Sequence, residues 1–178
     1  FLPECLRRAA PCVDEIIASL HYQVAAIEGM ALNQQLELQY VKPHGALYND
    51  MMAKPEVRAA IMQAMASYHR PLALMLQATP EAQLHLEEAR SCNIQLLFEA
   101  FADRCYDDDG KLLARSKPGA VHNKERMLAQ VAQLQSEGTV TTVSGHKLPL
   151  KADTLCVHGD NLEGVQAIEA IRSLVDGN

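Results

Sequence analysis

The stretch NIQLLFEAFADRCYDDDG, Asn93–Gly110, decides the fold. From Ile94 to Phe101 it is almost continuously apolar, broken only by Gln95 and Glu99. A short run of that kind fits a strand buried on both faces, as in a parallel sheet covered by helices. The run stops at Ala102-Asp103-Arg104 and gives way to a long polar stretch, Asp103 to His122. Within it, DDDG at Asp107–Gly110 is a turn signal. The stretch is longer than most connections, and such loops often carry function.

Strands and helices alternate on either side. Upstream, Thr79-Pro80-Glu81 starts a helix that ends near Cys92: Thr caps, and Pro suits the first helical position. Leu72–Leu76 follows the break at Pro71 and reads as a short strand. Val57, Ile61, Met65 and Tyr68 lie on one helical face. Leu36, Leu38 and Tyr40 alternate into Val41, the pattern of a strand. Val13, Ile16, Ile17, Leu20, Val24 and Ile27 recur at helical spacing, with Asp14 and Glu15 in the first turn. Downstream, Asn123 caps a helix carrying Met127, Leu128, Val131 and Leu134, which Gly138 stops. Thr139–Val143 and His146–Leu150 flank Ser144-Gly145 as a hairpin. Leu155–Val157 is a short strand, and Leu162, Val165, Ile168, Ile171 and Val175 form a last helix.

The order is a helix, then strand–helix four times, with a hairpin before the last strand. That alternation predicts an α/β fold with parallel strands and crossover helices. Four strands are too few for a TIM-type barrel, which needs about eight strands and roughly 250 residues. On the pattern alone an open doubly wound sheet is favoured, unless part of the chain is missing.

The 178 residues suit a single domain, 1–178. Lys plus Arg is 16 and Asp plus Glu is 22, a net charge of −6, which argues against a nucleic-acid binder. Hydrophobic residues make up 48% and charged ones 21%, so the composition is that of a folding chain rather than a disordered one. There is no Trp, which leaves an aliphatic core. No apolar run approaches the roughly 18 residues that span a bilayer. The opening FLPECLRRAAPC does not read as a signal peptide, so a cytoplasmic, membrane-free protein is expected. Five cysteines, with no pair at metal-ligand spacing, read as reduced thiols. The sequence specifies no oligomeric state, and a homo-oligomer is compatible with it.

Three strands end in polar clusters: Lys42-Pro43-His44-Gly45, Ala102-Asp103-Arg104 and His158-Gly159-Asp160-Asn161. Residues just past a buried parallel strand lie where such folds bind substrates. Each cluster also has a plain structural reading. Lys42 suits a solvated strand end, His44 a turn, and Asp103–Arg104 a local ion pair. Asp160 with Glu163 suits a capping box on the last helix. Arg115, in Arg115-Ser116-Lys117-Pro118-Gly119, has the geometry for a carboxylate or phosphate. Cys156 reads as core. His21, His69, His85, His122 and His146 read as surface or structural. A glycine-rich phosphate loop is absent.

Four motifs together, YVKPHGALYN (Tyr40–Asn49), EAFADRCY (Glu99–Tyr106), ARSKPGAV (Ala114–Val121) and LCVHGDN (Leu155–Asn161), resemble the LamB/YcsF family in order and spacing. The likeness runs from about Arg7 to Val175. It implies parallel strand–helix units forming part of a TIM-like (β/α)7 barrel of the glycoside hydrolase/deacetylase type. It also implies ATP-dependent opening of 5-oxoproline to glutamate, with Mg2+ accompanying ATP, in an assembly with the B and C subunits of 5-oxoprolinase. Family segments of the type DLNADLGE, CGFHAGD and GAHPS do not occur here. By resemblance the chain is therefore the C-terminal two-thirds of the barrel, its N-terminal strands missing. Two other departures are LMLQATPE at Leu74–Glu81, where the family has a glycine-rich sequence, and FLPECLRR in place of a GFGRR type.

The resemblance carries catalytic positions to Lys42, His44, His158 and Asp160, and substrate-binding positions to Asp103, Arg104, Arg115 and Ser116. Side-chain chemistry then suggests roles. Lys42 and Arg104 or Arg115 stabilise charge, and an arginine pair suits the substrate carboxylate. His44 or His158 moves protons. Asp160 orients His158. Two other functions are compatible with the same residues. One is a metal-dependent, deacetylase-like hydrolase with His44, His158 and Asp160 as ligands. The other is a truncated, non-catalytic fragment.

Overall fold

The structure is a computed structural model that describes residues 13–177. Cys5, Cys12 and the FLPECLRR departure lie outside the described residues. The elements are α1 (Val13–Leu32), β1 (Tyr40–Val41), α2 (Ala46–Ala53), α3 (Pro55–Ala66), β2 (Ala73–Gln77), α4 (Ala82–Ser91), β3 (Leu96–Phe101), α5 (Lys124–Glu137), β4 (Thr139–Thr141), β5 (Lys147–Pro149), β6 (Thr154–Cys156) and α6 (Leu162–Asp176). The expected α/β alternation is present, with three local differences, the last of them at α6.

The first is the length of β1, two residues rather than six. Leu36 is exposed, and its N–H closes a turn onto Ala31 after α1. The alternation of Leu36, Leu38 and Tyr40 thus does not mark a half-buried strand. The second is α2, a helix that the apolar pattern does not mark. Tyr48 and Met51, three apart, are its buried residues. Lys54 is extended and Pro55 opens α3, so the chain breaks between the two helices.

The described residues divide into two compact units. The first comprises residues 13–76 and 84–97. In it β1 runs parallel to β2, with Tyr40 opposite Ala73 and Val41 opposite Leu74. The Leu74 N–H donates to Gln95 O, so the approach to β3 lies along the other side of β2. Helix α1 buries Ile16, Leu20 and Val24, and α3 buries Val57, Ile61, Met62 and Met65. Arg58 is buried and makes a forked pair with Glu88, at 2.6 and 2.9 Å, while also donating to Met51 O at 3.0 Å. It thereby ties α2, α3 and α4 together, and it holds the Glu88 carboxyl below the usual range. Glu28 on α1 accepts from Tyr68 and Arg70. Burial, with that carboxylate beside it, pushes the Tyr68 phenol up to about 12.

The second unit comprises residues 77–83 and 98–177. Strand β3 runs parallel to β6, pairing Glu99 with Thr154, Ala100 with Leu155 and Phe101 with Cys156. The Ala78 N–H donates to Glu99 O, alongside β3. All five residues of β2 and five of six in β3 are buried, as the apolar runs require. Cys156 is half-buried, and Cys92, Cys105 and Cys156 form no disulfide among the described residues.

Ala102, Val131, Ala167 and Ile171 form the packed centre between β3, α5 and α6. Asn123 caps α5 by accepting from the Arg126 N–H at 3.0 Å, and Gly138 ends it in the left-handed conformation. Strands β4 and β5 form the expected hairpin. The last helix corrects the expected capping box. Its cap is Asn161, which accepts from the Gly164 N–H, while Glu163 reaches across to the Lys124 N–H at the start of α5.

Gly164 sits where α6 crosses the end of β6. A Cβ there would lie 2.8 Å from Val157 Cγ1 and 3.4 Å from Met127 Sδ. Overpacking of this kind costs about 1–3 kcal/mol. Gly164→Ala is therefore expected to lower stability by that amount, read by urea unfolding against the parent chain.

Candidate functional site

The polar side chains of the second unit gather at the ends of β3 and β6. Parallel pairing of these strands brings their carboxyl ends side by side, so Asp103, two residues past β3, meets His158, two residues past β6. Asp103 is fully buried. The His158 Nδ1 lies 3.0 Å from each Asp103 carboxylate oxygen, and the His158 backbone N–H donates to the same carboxylate at 3.3 Å. The imidazole stacks on Phe101, with centroids 5.5 Å apart and planes 17° off parallel. A carboxylate facing Nδ1 requires the proton on that nitrogen, which leaves the Nε2 lone pair available. The His158 side chain keeps about a quarter of its surface exposed, so Nε2 has access to a ligand.

Asp160 does not orient His158, contrary to the expectation from sequence. It pairs instead with Arg115 through the Nη1 and Nη2 donors. That guanidinium holds the Asp160 carboxyl below the usual carboxylate range. The reason is positional: Asp103 reaches His158 from the neighbouring strand, whereas Asp160 has turned outward before α6. Asp103, Arg115, Val121, Asp160, Asn161 and Glu163 line a shallow hollow of about 370 Å³.

Arg104 is buried and donates to Leu113 O at 2.6 Å and Ala120 O at 3.3 Å, pinning the long loop. Burial lowers its pKa, with Arg115 adding to the effect. Ser116 is exposed on that loop. Lys42 and His44 belong to the first unit, at the end of β1. The Lys42 ammonium lies 5.8 Å from the centre of the Tyr48 ring, and His44 is exposed. Six of the eight expected residues thus share the second unit, and the Asp103–His158 and Arg115–Asp160 pairs come together within it.

Three residues of the second unit had no signal as site residues. Gln130 looks like the polar face of a helix, yet it is buried and donates from Nε2 to the carbonyls of Phe101, Ala102 and Arg104, at 2.8, 3.3 and 2.9 Å. Tyr106 is fully buried and its hydroxyl accepts from the Phe101 N–H at 2.8 Å. His122, read as surface or structural, is buried under the loop. Its Nε2 faces Gln130 Oε1 at 3.2 Å, and its Nδ1 has no hydrogen-bond partner among the described residues. For Gln130 and His122 it is contact with the distant β3 turn and loop that reveals them.

Among the described residues, no group of three or more His, Cys, Asp or Glu side chains is placed to hold a metal ion. In the second unit the buried Arg104 is committed to backbone and so is not placed to receive a triphosphate. Arg104 is engaged by two carbonyls and Arg115 by Asp160. Among the described residues, no helix is long and apolar enough to cross a membrane.

Parallel strands joined by helices, with a histidine and a buried carboxylate paired at the strand ends, define an α/β protein. The chain belongs to the LamB/YcsF family, whose model matches residues 7–178. It is 46% identical over 160 residues to the 5-oxoprolinase A subunit of Vibrio campbellii, covering 89% of this chain and 63% of that protein. It is 42% identical over 171 residues to the 5-oxoprolinase A subunit of Pseudomonas fluorescens strain Pf0-1, covering 96% and 68%. A solved structure, the lactam utilization protein from Thermus thermophilus, superposes with a TM-score of 0.82 at 30% identity, covering 95% of this chain and 66% of that one. The chain therefore spans about two-thirds of the length of the proteins it matches.

Burial lowers the His122 pKa, outweighing the hydrogen bond with Gln130 and the nearby Asp103 charge; Arg126 and Arg104 push the same way as burial. A folded pKa below the unfolded value, about 6.5, makes the stabilising contribution complete above that pH. It is lost as pH falls from there through the folded value. Thermal stability is expected to decline between about pH 7.5 and pH 5, before the carboxylates titrate. His122→Gln is expected to flatten that decline in melting curves across the range.

Proposed function

We propose that this chain serves as the A subunit of an ATP-dependent 5-oxoprolinase, opening 5-oxoproline to glutamate in the cytoplasm with the B and C subunits. The relatives' names support the substrate, and the Asp103–His158 pair carries the chemical reading. ATP use, with Mg2+, is proposed for the whole assembly.

A lactam resists hydrolysis because amide resonance weakens its carbonyl as an electrophile. His158 Nε2 takes a proton as water attacks that carbonyl. The same proton then passes to the ring nitrogen as the C–N bond breaks, giving the amine and carboxylate of glutamate. Asp103 holds the imidazole in the required tautomer and balances the imidazolium while it exists. Arg115 is placed to receive the substrate carboxylate by exchanging it for Asp160. An exposed pair of that kind contributes only about 0–1 kcal/mol, so the exchange is cheap. Lys42 and His44 stay in the proposal on their family motif, Lys42 for charge stabilisation and His44 for proton transfer. Arg104 acts by pinning the loop that carries Arg115, and Ser116 stays in the proposal as a substrate-binding residue on its family motif.

The test uses the complete protein with its partner subunits. His158→Ala and Asp103→Asn are each expected to lower ATP-dependent glutamate release by about a hundredfold or more. Turnover near that of the parent in both variants rules the pair out.

A further inference from the structure

The turn after β3 creates a local problem. The chain leaves the sheet at Phe101, and the carbonyls of Phe101, Ala102, Asp103 and Arg104 enter a buried region. A buried carbonyl without a donor costs about 1–3 kcal/mol. Two groups meet all four. The His122 N–H donates to Asp103 O at 2.9 Å, and the Gln130 amide covers the other three. Three carbonyls around one amide nitrogen fix which end of Gln130 is the donor. Its oxygen then accepts from His122 Nε2, so His122 carries its proton there. Gln130 thus grips the peptide groups on both sides of Asp103.

We propose that Gln130 is a positioning residue: by clamping the backbone around Asp103 it aims that carboxylate at His158. The inference rests on the Asp103–His158 pair being the group that moves protons. Gln130 touches no substrate and acts only through Asp103. Misplacing a proton-transfer pair by about 1 Å costs on the order of a hundredfold in rate, so a clamp on its backbone has leverage on turnover.

Gln130→Met keeps length and burial but removes donor and acceptor. Gln130→Glu keeps the shape and sets an oxygen against the carbonyls. In the complete assembly each is expected to lower kcat about tenfold to a hundredfold while KM stays within about twofold. In the chain itself, the downfield proton resonance of His158 Nδ1–H should broaden or vanish in both variants, as in Asp103→Asn. This resonance separates the two ideas. If His158→Ala leaves turnover intact, the catalytic reading fails, yet loss of the resonance in Gln130→Met still supports the clamp. An unchanged resonance with kcat within about twofold of the parent overturns the clamp. Should both variants fail to fold, exchange of the Gln130 side-chain amide hydrogens in the parent protein decides. Strong protection supports the clamp, and exchange at the rate of free glutamine overturns it.

Discussion

A carboxylate withdrawn from water at the end of a buried strand governs the second unit. Asp103 is fully buried, so its charge needs donors from the protein. The His158 ring and backbone N–H supply them. Both come from the neighbouring strand, so the site exists only while β3 and β6 keep their parallel register. The hydrogen-bonded ladder, the packing of α5 and α6 behind it, and the placing of the imidazole are one connected arrangement.

The surrounding polar groups divide by burial. Arg104 and Gln130 face carbonyls of the loop and of the β3 turn, and their hydrogen-bonding capacity is used in holding backbone. Arg115 and Asp160 face solvent and pair with each other. Buried pairs of the first kind are rigid, because leaving either partner unpaired in the interior is costly. The exposed pair can open at little cost. The groups around Asp103 are thus held fixed, while the Arg115–Asp160 pair is free to open.

Much of the frame was legible in the sequence. Leu72–Leu76 and Ile94–Phe101 read as buried strands because parallel strands are apolar on both faces. Asn123 and Gly138 marked the ends of α5 by their capping chemistry. The weaker readings shared one cause: a local pattern decided by something outside it. Leu36 looked like part of a strand, but the chain turns there after α1. The segment ahead of Pro55 carried no helix signal, yet it forms the separate helix α2. Asp160 looked like a cap, but Asn161 beside it took that place.

The sequence by itself determined the order of strands and helices, the family, and the positions of the polar clusters at the strand ends. These follow from periodicity, capping and short motifs, all written within a few residues of one another. Tertiary structure alone decided the partnerships. Asp103 and His158 are 55 positions apart, Gln130 and Phe101 29, and Arg115 and Asp160 45. Side chains at such separations meet only through strand pairing and helix packing, and no local pattern records which carboxylate a given histidine will face.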